Sequence, residues 1–242
     1  MHDISEQASR LRLLKDVQDS ERQFLTGPCA RADDLDSAIR IFLEFLRGYE
    51  SLDFNGTCVT VFGSARLTEG PYYQLARDLG RRLAQEGLVV MTGGGPGIME
   101  AANRGAKEAG GYSIGCNIKL PKEEAANPFL DLFVEFDHFF VRKVMLVKYS
   151  SAFVLMPGGF GTLDEMFEAL TLVQTKQIER FPIVALGGDF WRNMRAVIEQ
   201  TLLANKTIGP QDTQLIKFAD TVDEAVEYIL HGIGQLNRRR VL

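Results

Sequence analysis

The stretch "SAFVLMPGGFGTLDEMFEALTLVQTKQI", residues 151–178, decides the fold. An apolar run at 152–156 passes through a proline and three glycines into a segment of helix length. A continuous apolar run of this size reads as a strand buried on both faces, and the glycines punctuate it. Strand, glycine turn and helix together make the repeating unit of a parallel sheet. The turn also poses a chemical question. Asp164 and Glu165 place two carboxylates at the start of a helix, where backbone N–H groups and the dipole favour anions. One reading is a tight turn in which Thr162-Leu-Asp-Glu165 forms a capping box. The other is an anion cradle with a catalytic carboxylate on its rim.

The same unit recurs on either side. Upstream, "TCVTVFG", "LVVMTGGG", "YSIGCNI" and "DLFVEF" read as strands. "YYQLARDLGRRLAQEG", with Leu75, Leu79 and Leu83 at i, i+4, i+8, and "IMEAANRGAKEAG" read as helices. "HFFVRKVMLVKYS" has helix length but is apolar nearly all round, so burial is expected. Downstream come "PIVALGG", "FWRNMRAVIEQTLLANK", a short strand near "QLIKFA", and the helix "TVDEAVEYILHGI". The expected fold is α/β: a Rossmann-like parallel sheet with helices on both faces, preceded by an N-terminal helical arm. The expected divisions are an arm at 1–54, a core at 55–234 and a basic tail at 235–242. In the arm, Leu35, Ile39, Phe42, Leu43 and Leu46 share one helical face, which should pack on the core or on a neighbouring subunit.

Bulk properties narrow the function. Apolar residues make up 45% and charged residues 24% of 242, an ordinary globular balance. A net charge of −5 argues against a broad nucleic-acid footprint, and the only basic cluster, "NRRR", reads as solvated tail. Cys29, Cys58 and Cys116 have neither disulfide nor zinc spacing, and His2, His138 and His231 are too dispersed for a metal site. No run approaches the roughly 18 apolar residues of a membrane span, and the polar N-terminus has no signal-peptide core. A reduced cytoplasmic setting is expected.

Ligands of such sheets bind where strands end at their carboxyl side. Three turns there are glycine-rich: "FGSAR" at 62–66, "TGGGPGIME" at 92–100 and "PGGFGT" at 157–162. None is a dinucleotide fingerprint, since the sixth position is Ile98 counting from Gly93 and Asp164 counting from Gly159. No P-loop pattern exists, and Ser64 lacks a nucleophile elbow. "GGDF" at 187–190 is read as a strand end with Asp189 capping the next helix. Gly94, Gly95 and Gly97 in one turn, and Gly158, Gly159 and Gly161 in another, would let phosphate oxygens approach the backbone. The dipole adds about 0.3–1 kcal/mol at each helix start. Tight turns alone could explain one such loop; two on neighbouring strands favour a ligand.

Glu165 and Asp164 would repel the anion that the glycines attract, and such a local conflict is a mark of function. Arg142 and Lys143 interrupt an apolar helix, so they either form structural ion pairs or face the cleft and neutralise phosphate and acids together.

With "PGGFGTLDE" preceded by the "RK" pair, the sequence closely resembles the LOG (Lonely Guy) family of cytokinin riboside 5′-monophosphate phosphoribohydrolases, long mislabelled lysine decarboxylases. "VFGSAR" and "TGGGPGIMEAANRGA" extend the resemblance over residues 56–233, in a longer form like that of the bacterial branch. It implies hydrolysis of the N-glycosidic bond of a nucleoside 5′-monophosphate to free base and ribose 5-phosphate. It makes Arg142 and Glu165 the catalytic pair. Lys143, the segment 158–164 with Thr162 and Asp164, Glu123 in "LPKEE" and Thr171 in "EALTLVQ" become substrate contacts. No metal or redox cofactor is called for, and no histidine precedes a lysine as a pyridoxal-phosphate decarboxylase would require. An acid beside the ribose would steady the oxocarbenium-like sugar of such a reaction and could take a proton from the attacking water.

Plant-type members often carry histidine two residues before the arginine; Phe140 stands there in this chain, with His138 further back, so a different base pocket is expected. The resemblance further implies a homodimer or higher homo-oligomer, with the helix near 138–150 at its interface. Two other classes compete with the hydrolase. A nucleotide or phospho-ligand carrier would bind without releasing base, and a bare scaffold would bind no phosphate ligand.

Overall fold

The computed structural model describes residues 20–25, 27, 30–119 and 125–240. A short helix, α1 (Ser20–Phe24), and a long one, α2 (Arg31–Ser51), precede the sheet. Then follow β1 (Cys58–Phe62), α3 (Pro71–Gln85), β2 (Val89–Thr92), α4 (Ile98–Glu108), β3 (Ser113–Ile118) and β4 (Leu132–Phe136). The second half contains α5 (Phe139–Lys148), β5 (Ala152–Leu155), α6 (Phe160–Gln174), β6 (Ile183–Leu186), α7 (Arg192–Ala196), β7 (Lys217–Ala219) and α8 (Val222–Arg240).

The strands form one sheet in the order β4-β3-β2-β1-β5-β6-β7, every pairing parallel. This is the α/β Rossmann-like arrangement that the alternating apolar runs require. The chain builds outward from β1 to β4, then returns to place β5 on the other side of β1. Val59 thus pairs with Val90 on one flank and Ala152 on the other. The reversal opens a crevice beyond the carboxyl ends of β1 and β5, the place where such sheets hold ligands.

Strand alternation sorts the core into two layers. In β5, Ala152 and Val154 join a cluster with Leu79 and Leu83 of α3, Ile98 of α4 and Ile229 of α8. Phe153 and Leu155 point the other way, to Val141, Met145 and Leu146 of α5 and Met166 of α6. The larger of these side chains, from Val154 up to Phe153, each contribute about 1.5–3 kcal/mol by leaving water.

The structure departs from the sequence reading in four places. The apolar stripe of α2 exists, but Leu35, Ile39, Phe42, Leu43 and Leu46 all face outward, so of the two partners expected for it the core is not the one it meets. Glu44 and Gly48 turn to the core instead, and a Cβ on Gly48 would sit only 2.6 Å from the end of Met145. Helix α5 is buried on one side alone, leaving Phe139 and Val144 exposed. Asp189 does not cap a helix: the chain enters a 3₁₀ turn at Gly188–Trp191, and Asp189 pairs with Arg192. The turn leads through α7 into a π-helical segment at Val197–Leu202. Helix α8 continues to Arg240, past the boundary at 234. No helix among the described residues is long and apolar enough to cross a membrane.

Candidate active site

A cavity of about 700 Å³ lies in the crevice at the carboxyl ends of β1, β2 and β5. Gly63 to Arg66 form one wall, Gly93, Gly95 and Met99 a second, and Arg142 with the first turn of α6 a third. The turns are tied to each other. Ser64 N donates to Pro157 O (3.1 Å), and Ile98 N donates to Ser64 O (3.0 Å). Gly97 has φ +68, and a Cβ there would lie 2.4 Å from Ser64 O, so only glycine fits.

A buried polar network fixes the second glycine turn from behind. Gly94 N donates to Thr92 Oγ1 (2.9 Å), and Thr92 Oγ1 donates to Asn103 Oδ1 (2.6 Å). Asn127 donates through Nδ2 to Gly95 O (3.1 Å) and Asn103 Oδ1 (3.0 Å), while its own N–H reaches Gly94 O (2.9 Å). A satisfied network of this kind holds a loop in one shape.

Helix α6 opens directly onto the cavity through Gly159, Phe160, Gly161 and Thr162. The N–H groups of Thr162 and Leu163 bond to Gly159 O (3.1 and 3.0 Å). Those of Phe160 and Gly161, first in the helix, have no acceptor within it. Phe160 projects at the rim, 92% exposed. Because the helix starts at Phe160, Thr162 sits inside the first turn and not at the cap, so the capping-box reading of Glu165 does not hold.

Glu165 belongs to the cavity wall and is 4% exposed. Its Oε1 lies 3.4 Å from Arg142 Nη1, and its Oε2 is buried without a hydrogen-bond partner among the described residues. Burial pushes its pKa up from 4.5 to about 7, against the pull of Arg142 and Lys143 and with the help of Glu168 and Asp164. Arg142 is held in place by its Nε, which donates to Cys116 O (2.9 Å) at the heart of β3.

Of the residues expected from sequence, Arg142, Glu165, Gly95, Gly159, Gly161 and Thr162 share this wall. Gly94 and Gly97 stand behind it, and Gly158 packs against Thr162, where a Cβ would come within 2.1 Å of Oγ1. Lys143 does not line the cavity: its Nζ is 3.0 Å from Asp164 and 2.8 Å from Glu168. Asp164 is exposed, and the Thr171 hydroxyl donates to Phe167 O (2.7 Å) along α6. Glu123 lies outside the described residues. The wall also contains Arg66, Met99, Asn117, Ile118 and Phe160, which the sequence reading did not single out. For Arg66 the signal was present in "GSAR", a cation straight after the strand at the reversal point.

The family model described as "possible lysine decarboxylase" matches residues 99–229. The chain is 31% identical over 177 residues to the probable cytokinin riboside 5′-monophosphate phosphoribohydrolase LOG6 of Arabidopsis thaliana, spanning 72% of this chain and 87% of that one. It is 35% identical over 115 residues to the cytokinin riboside 5′-monophosphate phosphoribohydrolase of Mycobacterium tuberculosis, 47% of this chain and 62% of the other. Among solved structures, the molybdenum cofactor binding protein from Rippkaea orientalis matches with a TM-score of 0.56 and 26% identity, over 74% of this chain and 98% of that one.

Proposed function

This chain belongs to the LOG family, and from that membership we propose that it hydrolyses the N-glycosidic bond of a nucleoside 5′-monophosphate, releasing free base and ribose 5-phosphate. One observation carries the reading: a buried carboxylate with a spare oxygen, Glu165, shares a cavity wall with the opening turn of α6. The 5′-phosphate sits at that turn, on the N–H groups of Phe160 and Gly161 and the positive end of the dipole. Its ribose is then carried toward Glu165. As the C1′–N bond lengthens, positive charge grows on the sugar, and the ionised Glu165 stabilises it. Water bonds to C1′ and gives one proton to Glu165; the base leaves with the C1′–N electron pair and takes up one proton from solvent, and Glu165 returns its own to solvent, so the carboxylate is restored. Arg142 keeps Glu165 available as an anion and offers its fork to the phosphate or the departing base.

Phe62, Met99, Ile118 and Leu163 give the cavity an apolar side suited to a purine ring, adenine or an N6-substituted adenine. Lysine decarboxylation does not suit this wall. A pyridoxal-dependent reaction needs a lysine amine in the cavity, and the described wall holds two arginines, Arg66 and Arg142, but no lysine.

The assay is direct: AMP and other nucleoside monophosphates are incubated with the protein, and free base is separated by chromatography. Base release that disappears in Glu165→Gln supports the reading; full turnover by that variant overturns it. The match to a molybdenum cofactor binding protein favours a second reading, a carrier that holds a phospho-ligand intact. Stoichiometric nucleotide binding with no base release would select it. The working unit in either case is a homodimer or a higher homo-oligomer, joined where Phe139 and Val144 of α5 and Phe167 of α6 stand exposed. Light scattering that finds only monomer at micromolar concentration would remove this part.

A further inference from the structure

Helix α5 carries Arg142, yet its own sequence supplies no cap. His138 at the N-cap makes no side-chain cap bond, and the first turn contains no acid. The acids arrive from the N-terminal arm. Glu44 of α2 is only 6% exposed; its Oε1 accepts from the N–H groups of Asp137 (2.5 Å) and His138 (3.1 Å), and its Oε2 is bonded to His138 Nδ1. Glu21 of α1 accepts from Phe139 N through Oε2 (3.2 Å). Three successive backbone N–H groups at the mouth of α5 therefore end on carboxylates of the arm. His138 O in turn accepts Arg142 N (3.2 Å), and the Arg142 side chain runs on to Cys116 O and Glu165.

A plain fold anchor would look different. Burying a carboxylate and an imidazole is an unfavourable way to attach a helix, and it holds only because each finds several hydrogen bonds. Meanwhile α2 leaves its apolar stripe, the ordinary adhesive of a helix, facing outward. Ile41, Phe45 and Gly48 do pack on the core, but the arm also brings a set of acceptors directed at one point, the N-terminus of the helix that bears Arg142.

We propose that the N-terminal arm is a positioning element for the active site: Glu44, aided by Glu21, fixes the first turn of α5 and through His138 sets the Arg142 guanidinium against Glu165. Glu44 does not reach the cavity and is not a catalytic residue. The structural part of this proposal stands without the hydrolase reading; its kinetic consequence rests on it.

The test uses the full chain with two readouts. The first is hydrogen exchange of the Arg142 Nε–H by nitrogen-15 NMR, which needs no turnover; the second is kcat for base release from AMP. Glu44→Ala should speed that exchange and lower kcat, each on the order of tenfold to a hundredfold, the scale of a small misplacement of a catalytic group. Glu44→Gln keeps an acceptor oxygen and should move both in the same direction by less. Leu52→Ala, a cavity in the core at the far end of α2, controls for loss of stability and should leave both near wild type below its melting point. Unchanged exchange in Glu44→Ala, or in Glu44→Gln alone where the alanine variant does not fold, overturns the proposal. So does an equal response in Leu52→Ala. Absence of base release from the wild-type protein would sink the hydrolase reading while the exchange measurement still decides this one.

Discussion

Replacing Glu165 by glutamine should remove turnover and at the same time make the protein more stable above neutral pH. Burial raises the Glu165 pKa from 4.5 to about 7 in the folded chain. The folded protein therefore holds a proton that the unfolded chain has already lost between these two values. Stability contributed by this group is complete below pH 4.5, falls as pH rises across the window and levels off above 7. The window is about 2.5 pH units wide, and each unit is worth about 1.36 kcal/mol, so ionising Glu165 costs the fold about 3 kcal/mol. The opposing pull of Arg142 is already contained in that figure, and with the side chain 4% exposed, screening by solvent is slight. Glutamine has the same shape and never ionises. Urea denaturation of both proteins at pH 5 and pH 8, at equal m-values, measures the difference. The variant should gain about 2–3 kcal/mol over wild type at pH 8 and less than about 1 kcal/mol at pH 5. A variant that is no more stable at pH 8, or less stable at both values, would refute the reasoning. Glu165 would then be a structural partner of Arg142 whose charge the fold needs.

Other expectations concern turnover. Plotted against pH, kcat/KM for AMP should climb through a single ionisation near 7 to a plateau, because the anionic form of Glu165 is the working one; a flat profile from pH 6 to 8 counts against that role. Arg142→Ala removes the largest influence that opposes burial, so the limb should move to higher pH while the plateau falls by about 10²–10³; a limb displaced to lower pH contradicts the electrostatics. Among the described residues a Cβ on Gly161 meets nothing within 4 Å, so Gly161→Ala should keep the thermal midpoint and raise KM by crowding the phosphate. Gly158→Ala, whose Cβ falls 2.1 Å from Thr162 Oγ1, should lower the midpoint first. Calorimetry and kinetics on the pair that gave the reverse order would dismantle the cradle.

The sheet was legible because its information is local. A strand buried on both faces, such as Ala152–Leu155, announces itself as an unbroken apolar run, and the glycines after it mark the turn. The candidate site was legible where its residues are contiguous, in the turn into α6, or where a charge interrupts an apolar helix, as Arg142 does. What escaped is non-local. Thr92, Asn103 and Asn127 look like scattered polar residues until folding brings Asn103 Oδ1 to 2.6 Å from Thr92 and 3.0 Å from Asn127. Helical periodicity gave α2 a stripe but not the direction it faces, since the docking side is chosen by Glu44 and Gly48 meeting partners some ninety positions away. His138, unremarkable as one of three histidines, becomes the hinge between arm and site for the same reason.

The energetic penalty on Glu165 also separates an enzyme from a carrier in this fold. Both would use the opening turn of α6 to hold a phosphate, and for that purpose the nearby carboxylate is a handicap, because it repels the ligand and is strained when ionised. A carrier is improved by Glu165→Gln: ligand affinity rises and nothing else is lost. A hydrolase gains the same affinity but forfeits the anion that meets the sugar cation, so it becomes a trap that holds AMP intact. Calorimetric titration of AMP into wild type and variant, followed by chromatography of the bound nucleotide, therefore yields opposite patterns. Intact nucleotide recovered from the variant and free base from the wild type follow from the hydrolase; intact nucleotide from both proteins leaves Glu165 with no part in the chemistry and assigns the cavity to a carrier.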